Sequence, residues 1–118
     1  MEPTNLQITQ LIKEAIQSGA TALYLNYLGI KHLPEQLFEA TQLTELSLSG
    51  NDLEQLPENL SHLKNLKTLD LAGNQLRSLP TTLGELPQLQ HLDLAYNQLN
   101  LLPDSICRLK YLKYLDCS

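Results

Sequence analysis

The chain has 118 residues, a mass of 13.3 kDa and a formal net charge of −5. With 42% hydrophobic and 18% charged residues it is expected to fold, and no run approaches the ~18 apolar residues of a membrane-crossing helix. The acidic balance disfavours nucleic acid and anionic membrane as partners.

The apolar residues are nearly all of one kind: 30 Leu against 5 Ile, one Phe and one Met, with no Val and no Trp. A single side-chain shape suits a core that repeats better than an irregular one. Cys107 and Cys117 are the only cysteines, which leaves no disulfide framework and no zinc-binding pair. The first residues lack the basic and then apolar pattern of a secretory leader, so a cytoplasmic location is expected.

Residues 4–18 place Ile8, Leu11, Ile12, Ala15 and Ile16 on one helical stripe. Pro3 with Thr4 or Asn5 suits the start of this helix, and Gly19 suits its stop. Lys13 is the only base in it, too few for an anionic lipid surface. Residues 1–19 are therefore expected to cap the remainder of the chain.

From residue 20 the chain repeats with a period of 23, in units that begin at 20, 43, 66, 89 and 112. Leu43-Thr-Glu-Leu46-Ser-Leu48-Ser-Gly-Asn51-Asp-Leu53 recurs as Leu66 to Leu76, with Asn74, and as Leu89 to Leu99, with Asn97. The second halves agree as well, in Leu56-Pro57, Leu79-Pro80 and Leu102-Pro103, each followed by apolar residues three and six places beyond the proline. Leu-x-Leu alternation predicts a short strand with one buried face, and the proline bars an interior helix in the return. The unit at 20 is degenerate, and the one at 112 runs only to Ser118.

These units resemble the leucine-rich repeat family in its 23-residue LPxxLxxL form, over about 100 of the 118 residues. The resemblance implies an α/β fold: a right-handed solenoid with one short parallel strand per unit and a looser convex return. The helix and degenerate first unit are also similar to the repeats that precede the GTPase unit of Roco proteins.

Asn51, Asn74 and Asn97 fall at the bend after each strand, where an amide can satisfy backbone groups the turn leaves unpaired. A structural asparagine ladder is expected. Leu28 replaces Asn in the first unit, and Asn26 should not stand in for it, because alternation points it to the opposite face. Cys117 falls where Leu71 and Leu94 fall and is expected to be a small buried hydrophobe. The edge of the fifth strand is a candidate for self-association.

Positions turned away from the leucines should form columns across the strands, about 4.8 Å from coil to coil. One column runs Tyr24, Ser47, Asp70, Asp93, Asp116, and its neighbour runs Ala22, Glu45, Thr68, His91, Tyr114. Stacked carboxylates repel, which should raise at least one pKa and attract a basic partner or a cation; the alternative is that Leu-Asp-Leu is ordinary spelling with solvated Asp. Small residues at Ser49, Gly50, Ala72, Gly73 and Ala95 are expected to floor a trough, with Tyr24 and Tyr27 at one end and His91, Tyr96 and Tyr114 at the other. A flat row of carboxylates does not surround an ion, so neither metal nor cofactor is expected.

The basic-aromatic stretch Arg108 to Tyr114 splits between return and strand, which argues against RNA. No phosphate loop, HExxH or GxSxG occurs, and His32, His62 and His91 hold three different repeat positions. The expected function is a non-catalytic protein-binding module using the concave strand face. Two alternatives stay open: a recognition segment of a larger enzyme such as a Roco-type GTPase, and a scaffold without a specific ligand.

Overall fold

The structure is a computed structural model that describes residues 5–118. Helix α1 spans Asn5–Ser18 and is followed by five three-residue strands: β1 (Ala22–Tyr24), β2 (Glu45–Ser47), β3 (Thr68–Asp70), β4 (His91–Asp93) and β5 (Tyr114–Asp116). They form one parallel sheet in chain order, with Leu23, Leu46, Leu69, Leu92 and Leu115 in register. A parallel pair needs a crossover, and here every crossover fits inside the 23 residues that separate equivalent strand positions.

Each crossover closes with a 3-10 turn behind the repeat proline: Glu35–Glu39, Glu58–His62, Thr81–Glu85 and Asp104–Arg108. The ring holds φ of Pro34, Pro57, Pro80 and Pro103 between −63° and −75°, and each proline carbonyl accepts from the N–H three residues on at 3.0–3.2 Å. That turn lays Leu37, Leu60 and Leu83 against the leucines of the strands, and the buried residues make one continuous cluster. A unit alone has no second layer to cover its leucines, so coil-on-coil stacking supplies the burial.

Helix α1 covers the first coil with Ile8, Ile12 and Ala15, an i, i+4, i+7 stripe. The stripe is narrower than expected: Ile16 is half-buried, and Leu11 is 42% exposed. Gly19 ends the helix at φ 70°, with Gly19 N–H on Ile16 O and Ala20 N–H on Ala15 O. The expected cap residues Pro3 and Thr4 lie outside the described residues, and Asn5 lies within the helix rather than capping it.

The opposite end behaves differently. Strand β5 is paired only with β4, and Cys117 is exposed where Leu71 and Leu94 are buried. The expectation that Cys117 is buried is thus overturned, because burial at that register comes from the coils on both sides and β5 has one on one side only. Cys107, on the last 3-10 turn, is exposed too.

Candidate functional site

Two polar systems run from coil to coil, one inside the bend and one on the open face of the sheet. Inside, Asn74 donates from Nδ2 to the carbonyls of Leu48 and Leu71, both at 3.0 Å, while its Oδ1 accepts the N–H of Leu53 at 3.1 Å. Asn51 does the same for Leu25 and Leu48 and accepts from both Leu28 and Ile30; Asn97 serves Leu71, Leu94 and Leu76. The ladder therefore links each coil to the one before it. Each ladder amide bonds the strand-end carbonyl of the coil before it, and the first coil, where Leu28 stands in place of Asn, is preceded by helix α1 rather than by another strand.

On the open face, Asp70 Oδ1 accepts the N–H of Ala72, Asp93 Oδ1 that of Ala95, and Asp116 Oδ1 that of Ser118, at 2.9–3.0 Å. In the second coil this register holds Ser47, which has no carboxylate to offer. Asn26 of the preceding coil takes over: its Oδ1 accepts the Ser49 N–H at 2.9 Å and the hydroxyls of Ser47 and Ser49 at 2.6 and 3.1 Å. Asn26 does lie on the face opposite the ladder and does not join it, yet it carries a structural bond that alternation alone does not predict. The signal for it is the absent acceptor at position 47. Ser47 itself is buried beneath this network, so it is withdrawn from the residues a partner could touch.

The aspartates hold fixed turns, and at Asp116 the bonds of that turn set its electrostatics. Asp116 titrates below the ordinary carboxylate range, first because the Ser118 hydroxyl and N–H donate to it and then because the Tyr114 hydroxyl does. The expected upward shift from stacking does not occur at this residue; the donated hydrogen bonds outweigh the opposing effect of burial. Burial and the nearby carboxylates, Asp116 foremost, push the Tyr114 phenol up. Tyr24 is also raised, because its hydroxyl donates to Glu45 and its loss of a proton would set two anions together.

Of the residues expected near a partner, Glu45, Thr68, His91 and Tyr114 occupy one column, and Tyr24, Asp70, Asp93 and Asp116 the next. His91 and Tyr114 stack, with ring centroids 4.3 Å apart and planes 15° from parallel. Tyr27 and Tyr96 lie off the strands, on the bend. They share a register with Gly50 and Gly73, and all four take a left-handed backbone, at φ 56° for Tyr27, 71° for Gly50, 70° for Gly73 and 59° for Tyr96. The two glycines in the alignment were the signal for this conformation, which the two tyrosines inherit with a steric penalty. Any β-carbon on Gly50 would collide with the ring of Tyr27, so that ring covers Gly50. The expected trough floor is accordingly interrupted at Gly50, and Ala95 within it is buried.

Among the described residues no group of three or more His, Cys, Asp or Glu side chains could hold a metal ion, and no helix is long and apolar enough to cross a membrane.

One strand per coil, a proline-led 3-10 return and an amide ladder between coils define a parallel solenoid of stacked repeats. The family profile described as leucine rich repeat matches residues 18–76 and 65–118. The chain belongs to the leucine-rich repeat family. No curated protein matches it in sequence. Among solved structures it is similar to a leucine-rich repeat protein of Leptospira interrogans (29% identity, TM-score 0.63, 88% of this chain and 39% of that one). It is also similar to the plant peptide hormone receptor RGFR1 in complex with RGF2 (38%, 0.69, 78% and 15%) and to the BIR3–SERK2 complex from Arabidopsis thaliana (37%, 0.68, 79% and 52%). The chain thus spans about half or less of the length of each. Family and fold are typically those of non-catalytic interaction modules, and two of these neighbours are complexes.

Proposed function

We propose that the chain binds a protein partner on the concave, open face of its five-stranded sheet and performs no catalysis of its own. The observation that carries this is the register: in-line pairing sets the variable outward residues of five coils side by side on a face that no other described element covers. The complexes among the structural neighbours support it, one of them being a receptor with its peptide hormone. Two free, exposed thiols suit a reducing, cytoplasmic setting. The 23-residue strand spacing and the proline-led turns support assignment to the LPxxL class of repeats.

A photo-crosslinking residue tests the face directly. Placed at Thr68 on β3 it should trap a partner, and placed at Asn59 on the exposed side of a 3-10 turn it should not. Trapping at 59 alone would move the site to the convex side. Trapping at neither position would favour a scaffold without a ligand.

A second reading is favoured by the short span of the chain relative to its neighbours, 39% and 15% in two cases. In it these coils are the recognition segment of a larger protein, such as a Roco-type GTPase, and the same face does the recognising. Self-association through the free side of β5 is the third; it predicts a sedimentation coefficient that rises with concentration.

A further inference from the structure

The outward face of the sheet carries charge of one sign. The first and third residues of the five strands make ten outward positions, which hold Glu45, Asp70, Asp93 and Asp116 and not one Lys or Arg. The fixed cations stand outside the face: Lys67 and Lys113 each immediately precede a strand, and both are exposed. A partner's cations are therefore drawn to the aspartate column and kept off its strand-start side.

The aspartates are also pre-aimed. Asp70 and Asp93 each spend Oδ1 on the N–H two residues on, which fixes the side chain and leaves Oδ2 without a hydrogen-bond donor among the described residues. An incoming guanidinium meets a carboxylate that has already lost its rotamer freedom, so less entropy is lost on binding. Asp116 differs in that its Oδ2 already accepts from the Tyr114 hydroxyl at 3.3 Å, so an arginine there shares that oxygen and gains in exchange the exposed ring surface of the His91–Tyr114 stack.

Spacing selects the backbone of the occupant. Asp70 pairs in register with Asp93, and Asp93 with Asp116, so the outer two are two coil steps apart, about 9.6 Å. Three residues of polyproline II advance about 9.3 Å and return to the same side. Same-side residues of a β-strand are about 6.7 Å apart and miss that interval.

We propose, on top of the protein-binding reading above, that the occupant is a cationic polyproline-II segment lying across the strands, with arginines three residues apart over Asp70 and Asp116. Charge complementarity chooses its sign, and coil spacing its conformation.

The test uses the full chain and fluorescein-labelled peptides read by anisotropy: an Arg-Pro-Pro repeat, an Arg-Pro repeat with the same number of arginines, and a Glu-Pro-Pro repeat. The first should bind, with an affinity that falls as salt rises; the second should bind at least several-fold more weakly, and the third not at all. Asp70→Asn with Asp116→Asn removes two charges and keeps both turn acceptors, as the amide of Asn26 shows an amide can. Binding should drop roughly tenfold. Thr68→Arg, which sets a cation among the carboxylates, should weaken binding similarly, so that the conclusion does not hang on one variant. No binding of the Arg-Pro-Pro peptide, equal binding of the two arginine spacings, or binding unmoved by the variants would overturn the proposal. If the peptide fails while a partner still crosslinks at position 68, only the chemistry of the occupant is wrong. If crosslinking at 68 fails and the peptide binds as described, the fault lies with the broader reading.

Discussion

Leu25 and Cys117 occupy the same register in the first and last coils, as do Leu23 and Leu115, yet their surroundings differ. At the first coil Leu25 is fully buried and Leu23 is 9% exposed, in one cluster with Ile8, Ile12 and Ala15 of α1, which packs against the first 3-10 turn. At the last coil Leu115 is 38% exposed and Cys117 is open to solvent. Position within the repeat does not decide burial here; the presence of a neighbour on each side does. Stability should accordingly be distributed as a sum of coil–coil interfaces, high in the middle and low beside β5.

The most forceful way to break this comparison is to truncate the same leucine at two depths. Leu69 is fully buried between two coils, so Leu69→Ala leaves a cavity and should cost about 3–5 kcal/mol in urea denaturation. Leu115→Ala removes a side chain that water already reaches on one side and should cost about 1 kcal/mol or less. Equal losses would show that the fifth coil is as well covered in solution as the third. Faster hydrogen exchange of β5 amides than of β3 amides checks the same gradient without mutation.

The amide ladder gives a second, smaller contrast. Asn74 is buried, and its removal strands the carbonyls of Leu48 and Leu71 and the N–H of Leu53. Asn74→Ala should cost about 3 kcal/mol. Asn97 makes the equivalent bonds from a half-buried position, where water can replace part of what is lost. Asn97→Ala should cost about half as much, read as the difference in thermal midpoint between the two variants. Identical shifts would mean that exposure at this end does not soften the loss of a polar partner.

Legibility in the sequence divides along the same line. Anything repeated could be read: five strands in register, the ladder at Asn51, Asn74 and Asn97, and the proline-led returns, because each is stated several times and each copy checks the others. What escaped was everything that depends on a neighbour in space or on a break in the pattern. Cys117 reads as a core residue by register and is exposed by lack of a covering coil; Leu11 fits the helical stripe and is nonetheless exposed. Ser47 sits in an outward column and is sealed by Asn26, a contact that exists only because one coil lacks the carboxylate the others have. The open face was legible as a set of columns, but which aspartate oxygens are already in use depends on the turn geometry after each strand.

The finest contrast lies between two tyrosines that share one strained backbone position. Tyr27 and Tyr96 both take the left-handed region that Gly50 and Gly73 take between them. A bulky L-residue there bears a penalty of order 1 kcal/mol, and Asn bears less of it while keeping an ordinary unfolded state, unlike Gly. Both side chains are largely exposed, Tyr27 at 78% and Tyr96 at 80%, but at the capped end the ring of Tyr27 lies on Gly50 and recovers part of the penalty as packing, whereas Tyr96 has no ring contact of this kind among the described residues. Tyr96→Asn should therefore stabilise the chain by about 0.5–1 kcal/mol, and Tyr27→Asn should be neutral or destabilising, because it uncovers Gly50 as it relieves the strain. Differential scanning calorimetry resolves the two signs. Stabilisation by both variants would mean that the Tyr27–Gly50 contact contributes nothing. Destabilisation by both would mean that Tyr96 also rests on a surface in solution, and that the end of the solenoid beside β5 is better covered than the exposure of Leu115 indicates.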